Sequence, residues 1–275
     1  MSLPLDTFKE IQKPMLNSQV TSVLESKGDL LNSTIIAVPE GTELIDLEAY
    51  KQFRDHYRFN FSTTSIPDYS LYCDEFQQPG AKCFIDAKKM IAATTFDLGS
   101  EAEPLHQKHT AELALDKTAA YLAILDVNGQ KLSQLDASNF IDDWSDNISV
   151  YNQDEVIMTN RQASEQLRDI SIDKIRSSNS KVGSFSESMS QNEIIEAKKQ
   201  ESLPADIHFT CQPYTGLDDR CFVLRVQLLV GGDKPFVSLR IIIIEAHKED
   251  MANEFKDIIV DKLKATDIKT FIGRS

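Results

Sequence analysis

Residues 222–245 read FVLRVQLLVGGDKPFVSLRIIIIE, and their reading decides the fold of the C-terminal part. Phe222, Leu224, Val226, Leu228 and Val230 alternate with Arg225 and Gln227, the period of two that a strand with one buried face requires. Gly231-Gly232-Asp233-Lys234-Pro235 supplies turn chemistry, and Phe236 to Glu245 runs back as a second strand, so a long antiparallel hairpin is expected. The returning strand places Val237, Leu239, Ile241 and Ile243 on one face. The other face carries Ser238 and Arg240 and then Ile242 and Ile244, so its apolar end needs a cover. A helix predicted over 248–264 supplies one: Met251, Phe255, Ile258, Ile259 and Leu263 form a stripe opposite Glu249, Asp250, Asp257 and Asp261.

Working outward, Ile207 to Cys211 reads as a strand entering a loop over 213–220 that turns at Gly216. Further back, Ser133 and Asp136 have capping-box spacing and open a helix that turns Phe140, Ile141, Trp144 and Ile148 inward. Thr118 to Asp126 is Ala- and Leu-rich and reads as a helix stopped by Asn128-Gly129. Strands are predicted over 83–86, 90–96 and 109–115. Ser65 caps a helix with Pro67 in its first turn, and Ile66, Tyr69, Tyr72, Cys73 and Phe76 share one side of it. Helical spacing recurs over 46–57, 34–38 is a short β-branched strand, and Thr7 with Glu10 opens a helix that Pro14 ends or kinks. The stretches 170–175 and 182–189 alternate well enough for an exposed hairpin. The expected class is α+β, an N-terminal mixed α/β region followed by an antiparallel sheet packed by a C-terminal helix. Three regions are expected: 1–150, a polar connector over 151–200, and the hairpin with its helix over 201–275.

Apolar residues at 41% and charged residues at 26% are globular values, which excludes collagenous, wholly disordered and multi-span membrane classes. The net charge of −14 is uneven: residues 1–150 hold 12 basic against 23 acidic side chains, and residues 151–275 hold 17 against 20. Nonspecific nucleic-acid binding is built from Lys and Arg on phosphates, so direct DNA or RNA binding is not expected of this chain. The longest apolar run, Ile241 to Ile244, is far short of a membrane span, and Met1 to Glu10 has no signal-peptide pattern. Cys73, Cys83, Cys211 and Cys221 lack any close-spaced pair; reduced thiols packed as small apolar residues are the expectation. Cys211 and Cys221 lie symmetrically about Gly216, placed to face each other across paired strands.

Leu203-Pro204, the strand after it, the Tyr214-Thr215-Gly216 turn, the long hairpin and an acidic helix containing Glu254-Phe255 resemble the C-terminal part of the YfdQ-like family of phage and prophage proteins. Leu47-Glu48, and Leu132-Ser133-Gln134 leading to Phe140-Ile141-Asp142-Asp143, resemble its N-terminal part in the same order. The resemblance runs from about residue 30 to 264, with 151–200 matching poorly. It implies a phage-encoded protein in the cytoplasm of a bacterial host, and it carries over no catalytic residues.

Candidate chemistry is sparse. Asp218-Asp219-Arg220 places two carboxylates and a guanidinium on one loop, either a binding group or a turn with its own salt bridge. Glu245 and His247 share a face where the last strand ends, the spacing of a carboxylate-oriented base or of a plain helix cap. His106 and His109 would ligate a metal only from a helix, and this stretch reads as a loop entering a strand. No catalytic residue, metal or cofactor is therefore expected. Ligand or partner binding is assigned to Asp218, Asp219, Arg220, Glu245 and His247. Surplus apolar surface at Leu229, Ile242 and Ile244 is assigned to self-association. The expectation is a non-enzymatic, self-associating phage accessory protein that binds a host or phage factor. Two alternatives stand beside it: a protein that binds or processes a nucleotide or other small molecule, and an acidic accessory or DNA mimic in nucleic-acid metabolism. A deep pocket with convergent charge around Glu245 favours the small-molecule reading.

Overall fold

The computed structural model describes residues 52–54, 56–170, 193–196, 203–231 and 234–274. The chain divides into two units between His56 and Tyr57, and both sheets belong to the unit that begins at Tyr57. The expected elements before residue 46, and the expected hairpin from 171 onward, lie outside the described residues. Residues 52–54 and 56–58, the described end of the helix anticipated over 46–57, are irregular.

Two sheets are built, each with its own helices. In the first, β1 (Phe59–Thr63), β2 (Lys82–Asp86), β3 (Ile91–Thr95), β4 (His109–Ala114) and β11 (Lys269–Ile272) are ordered β1-β4-β3-β2-β11. The three central strands are antiparallel, while β1 on β4 and β11 on β2 are parallel. Alternation puts Cys83, Ile85, Ala92, Thr94, Ala111 and Leu113 on one buried face. Helix α1 (Ile66–Glu75) lies over β1 and β4. Its cap is the expected one: Ser65 is extended and its Oγ accepts the Asp68 N–H at 3.3 Å, with Pro67 in the first turn.

The second sheet contains β5 (Ile148–Tyr151), β6 (Ile157–Met158), β8 (Asp206–Cys211), β9 (Arg220–Gly231) and β10 (Lys234–Ile241), antiparallel throughout in the order β10-β9-β8-β5-β6. β7 (Glu193–Glu196) pairs with β9 beside it. The hairpin register Val237↔Leu228, Leu239↔Val226, Ile241↔Leu224 is the one the alternation demands. Helices α2 (Ala119–Val127) and α3 (Gln134–Asp143) lie against β10, and α4 (Asn160–Arg168) packs on α3. Thr118, Ser133 and Thr159 cap these three helices with their side-chain oxygens. Gln134 Nε2 donates to the carbonyls of Leu167 and Ile170 at 3.0 and 2.8 Å, closing the C-terminal end of α4. The class is α+β, as the alternation and helical stripes require.

Four expectations are corrected. First, the returning strand stops at Ile241: the Ile242 N–H still bonds the Val223 carbonyl at 2.8 Å, but Ile243 is left-handed (φ 50°) and helix α5 (Ile244–Leu263) begins at once. Second, α5 covers the first sheet, lying against α1, the 3₁₀ turn Ala87–Lys89 and β11, whereas α2 and α3 cover the hairpin. Its stripe of Met251, Phe255, Ile259 and Leu263 is buried as expected, with a different partner. Third, β11 closes an edge of the first sheet with residues beyond the expected last helix. Fourth, β5 pairs with β8, so a boundary near residue 150 falls inside one sheet.

Candidate functional site

The acidic loop anticipated as a binding element is tied to α5. Glu254 accepts the Asp218 N–H on Oε1 at 2.6 Å and the Arg220 Nη2 on Oε2 at 2.5 Å, and both ion-pair side chains are mostly buried, at 20% and 17% exposure. Arg220 Nε is buried without a hydrogen-bond partner among the described residues. His247 packs on Phe222, with ring centroids 4.8 Å apart; burial and then the Arg220 charge lower its pKa, against the pull of Asp250. Asp219 sits close enough to Cys211 to help burial push that thiol to about 12. Of the five residues assigned to binding, Glu245 alone lines the groove described below, where Lys248 Nζ donates to it at 2.8 Å. The residues assigned to self-association are not open surface: Leu229, Ile242 and Ile244 are half-buried. The outer edge of β10 is bridged by residues 128–132 of the same chain, through Gly129 N to Leu239 O at 2.7 Å and Leu132 N to Val237 O at 2.8 Å.

The cysteines and histidines also fall into place. Register pairs Thr210 with Cys221 and Cys211 with Arg220, so the two cysteines point to opposite faces, Cys211 buried and Cys221 exposed. Cys73 and Cys83 lie in the core around the Tyr69 hydroxyl, which bonds Thr94 Oγ1 at 2.7 Å and Cys83 Sγ at 3.3 Å; burial holds the Cys73 thiol at about 12. Among the described residues no group of three His, Cys, Asp or Glu is placed to hold a metal, and no helix is long and apolar enough to cross a membrane. His109 is buried among Tyr57, Tyr72, Phe76 and Phe96, with its Nε2 2.9 Å from the Tyr72 hydroxyl.

A groove of about 1060 Å³ is bounded by the 3₁₀ turn after β2, the start of α2, the loop before β9 and the first half of α5. Local sequence builds each wall. Met90 is left-handed (φ 58°) and buried, which ends the turn and leaves Lys88 on the rim. The Thr118 N–H bonds the Pro213 carbonyl at 3.0 Å and Lys117 bridges to Tyr214, so the strand-to-helix corner and the loop before β9 are joined through their backbones. Gly216, at φ 98°, closes the turn in which Leu217 N bonds Tyr214 O at 3.1 Å; a Cβ there would also lie 2.8 Å from Ile66 Cδ1.

The lining holds five cations, Lys88, Lys117, Lys248, Lys256 and Arg274, against three carboxylates, Asp86, Glu245 and Glu249. Arg274 pairs with Asp86, Lys248 with Glu245, and Lys256 with Asp257. Lys88 and Lys117 have no ion-pair partner among the described residues. The Tyr121 side chain is almost wholly buried, at 1% exposure, stacked on Phe222 and tilted against Tyr214. Its hydroxyl has no hydrogen-bond partner among the described residues, and burial raises its pKa to about 12, so it is a neutral donor at pH 7. Tyr121 is one of the residues that line the groove.

A model of the uncharacterized conserved protein family DUF2303 matches residues 14–275. The chain belongs to the DUF2303 family. No curated protein and no solved structure matches it. In this DUF2303 protein the groove residues escaped the sequence reading, apart from Glu245, because Lys88, Lys117, Tyr121 and Tyr214 are spread over more than a hundred positions with no motif spacing. The one local signal was the Tyr214-Thr215-Gly216 turn, whose glycine fixes where Tyr214 stands.

Proposed function

We propose that the protein works by binding a small anionic molecule in the groove between the 3₁₀ turn and α5. The observation that carries this is the unspent polarity of one concavity: among the described residues its Lys88 and Lys117 have no ion-pair partner and its Tyr121 hydroxyl no hydrogen-bond partner, with Glu249 the one unpaired carboxylate of the lining, in a chain of net charge −14. A volume of about 1060 Å³ suits a small organic ligand, and the floor of Ile85, Leu125 and Met251 is apolar as such sites are. Binding rather than turnover fits the lining, because two of its three carboxylates, Asp86 and Glu245, are taken up in ion pairs with Arg274 and Lys248, and burial holds its phenols protonated. The resemblance to YfdQ-like phage and prophage proteins supports a setting inside a bacterial host, with the bound molecule as the factor such an accessory protein senses or withholds. The test is thermal-shift screening of the full chain against matched anionic and neutral small molecules, followed by Lys117→Glu. Anionic compounds should raise the melting temperature and lose that effect in K117E; stabilisation by neutral compounds only, or by none, refutes the reading.

A second reading, self-association, is favoured by a different place from the one the sequence suggested. β11 is an edge strand with Phe271 and Ile272 45% and 61% exposed. Light scattering on the eluting peak decides it: a 31.0 kDa species at micromolar concentration excludes a stable oligomer.

A further inference from the structure

We infer that the ligand of the groove is a phosphomonoester, an organic molecule carrying one terminal phosphate dianion. This rests on the groove being the binding site, and it names what fills it. The charge of the lining points to an anion. Asp86 and Glu245 are each engaged by a cation of the same lining, and Lys256 is engaged by Asp257; among the described residues Lys88, Lys117 and the Glu249 carboxylate of the lining have no ion-pair partner. The two ammonium groups can meet a group carrying about −1.5 to −2 charges at pH 7, with Glu249 on the α5 wall as the charge such a group has to stand away from. Donor number favours phosphate over a carboxylate. Besides the ammonium groups, the Tyr121 and Tyr214 hydroxyls have no hydrogen-bond partners among the described residues, and burial keeps both protonated. A phosphate offers three acceptor oxygens to such donors and a carboxylate two. The remaining wall is apolar, formed by Leu125, Met251 and Ala252, and takes the organic body of the ester. Lys88 comes from the β2–β3 turn, Lys117 and Tyr121 from the corner into α2, and Tyr214 from the loop before β9, so a single ligand is held by elements of both sheets. A long polyanion fits less well: two uncommitted lysines in a chain of net −14 give no continuous basic track for a nucleic-acid backbone.

The experiment is isothermal titration calorimetry on the full chain with four probes: adenosine 5′-monophosphate, adenosine, inorganic phosphate and citrate, at low and high ionic strength. The monophosphate should bind at least about tenfold more tightly than adenosine and more tightly than inorganic phosphate, and salt should weaken it. Lys88→Gln and Lys117→Gln should each lower its affinity about tenfold, and Tyr121→Phe several-fold, with melting temperatures of the free proteins unchanged. Equal binding of adenosine and its monophosphate overturns the inference. So does preferential binding of citrate that the lysine variants abolish, although the anion-binding reading of the groove then survives. If no probe binds and no anion stabilises the chain in the thermal-shift screen, inference and reading fall together.

Discussion

The loop at Asp218–Arg220 and the groove on the other side of α5 hold the same kinds of side chain and stand in opposite states. In the loop, Glu254 answers both the Arg220 guanidinium and the Asp218 N–H. In the groove, Lys88 and Lys117 have no ion-pair partner and the Tyr121 hydroxyl no hydrogen-bond partner among the described residues. A charged triplet in a sequence announces itself through density, yet density is what allows charges to satisfy one another. Polar groups left over after folding mark a site better, and they become visible only when distant segments meet.

The largest expected effect lies on the satisfied side. Glu254→Ala should leave a largely buried guanidinium unpaired and release the loop, lowering unfolding free energy by about 3 kcal/mol. The urea midpoint measures it, and the double variant Glu254→Leu with Arg220→Met should recover much of the loss, since no buried charge then remains. A midpoint unmoved by Glu254→Ala would show that the pair is not what fixes the loop, and the contrast between the two regions would collapse.

On the unsatisfied side the expectations reverse. The double variant Lys88→Gln, Lys117→Gln should move stability by no more than about 0.5 kcal/mol, as surface changes do, while phosphomonoester binding falls about a hundredfold. Next in size, Tyr121→Phe should leave the urea midpoint unchanged, because the hydroxyl it removes has no hydrogen-bond partner among the described residues and the stacked ring is kept. A clear loss of stability in Tyr121→Phe would mean that its hydroxyl is already bonded within the fold.

Local signals account for much of what was legible. Ser65, Thr118 and Ser133 cap the helices they open, and strict alternation fixed the β9–β10 register, because a slip of one residue would expose Phe222, Leu224 and Val226 together. What escaped depends on pairing at long range. β11 is four residues that acquire strand character only beside β2, and α5 could not declare from its own stripe which sheet it would cover. The last strand was read four residues too long because Ile241 to Ile244 is the best β sequence in the chain. The fold overrides that preference by holding a β-branched residue, Ile243, in the left-handed region, 67% exposed. The groove was illegible for the same reason as β11: its lysines and tyrosines share a wall and no sequence neighbourhood.

The smallest effect is a titration that separates two imidazoles, buried His109 and half-buried His247. Burial lowers the pKa of both His109 and His247 from 6.5, but the Arg220 charge adds to it at His247 alone, while Asp97 acts against it at His109. In each case the folded chain takes up a proton less readily than the unfolded one. Stability is therefore full above about pH 6.5 and is lost as pH falls from there through the folded pKa. Proton NMR of the imidazole C2–H resonances should show both titrating below 6.5, and Arg220→Met should move His247 upward while leaving His109 in place. Tyr72 faces His109 Nε2 at 2.9 Å, so His109→Gln keeps an amide for that hydroxyl and should flatten only part of the stability slope below about pH 6.5, with His247 carrying the remainder. If Arg220→Met shifts neither resonance, the guanidinium field ends at Glu254, and the loop is even more self-contained than its hydrogen bonds imply.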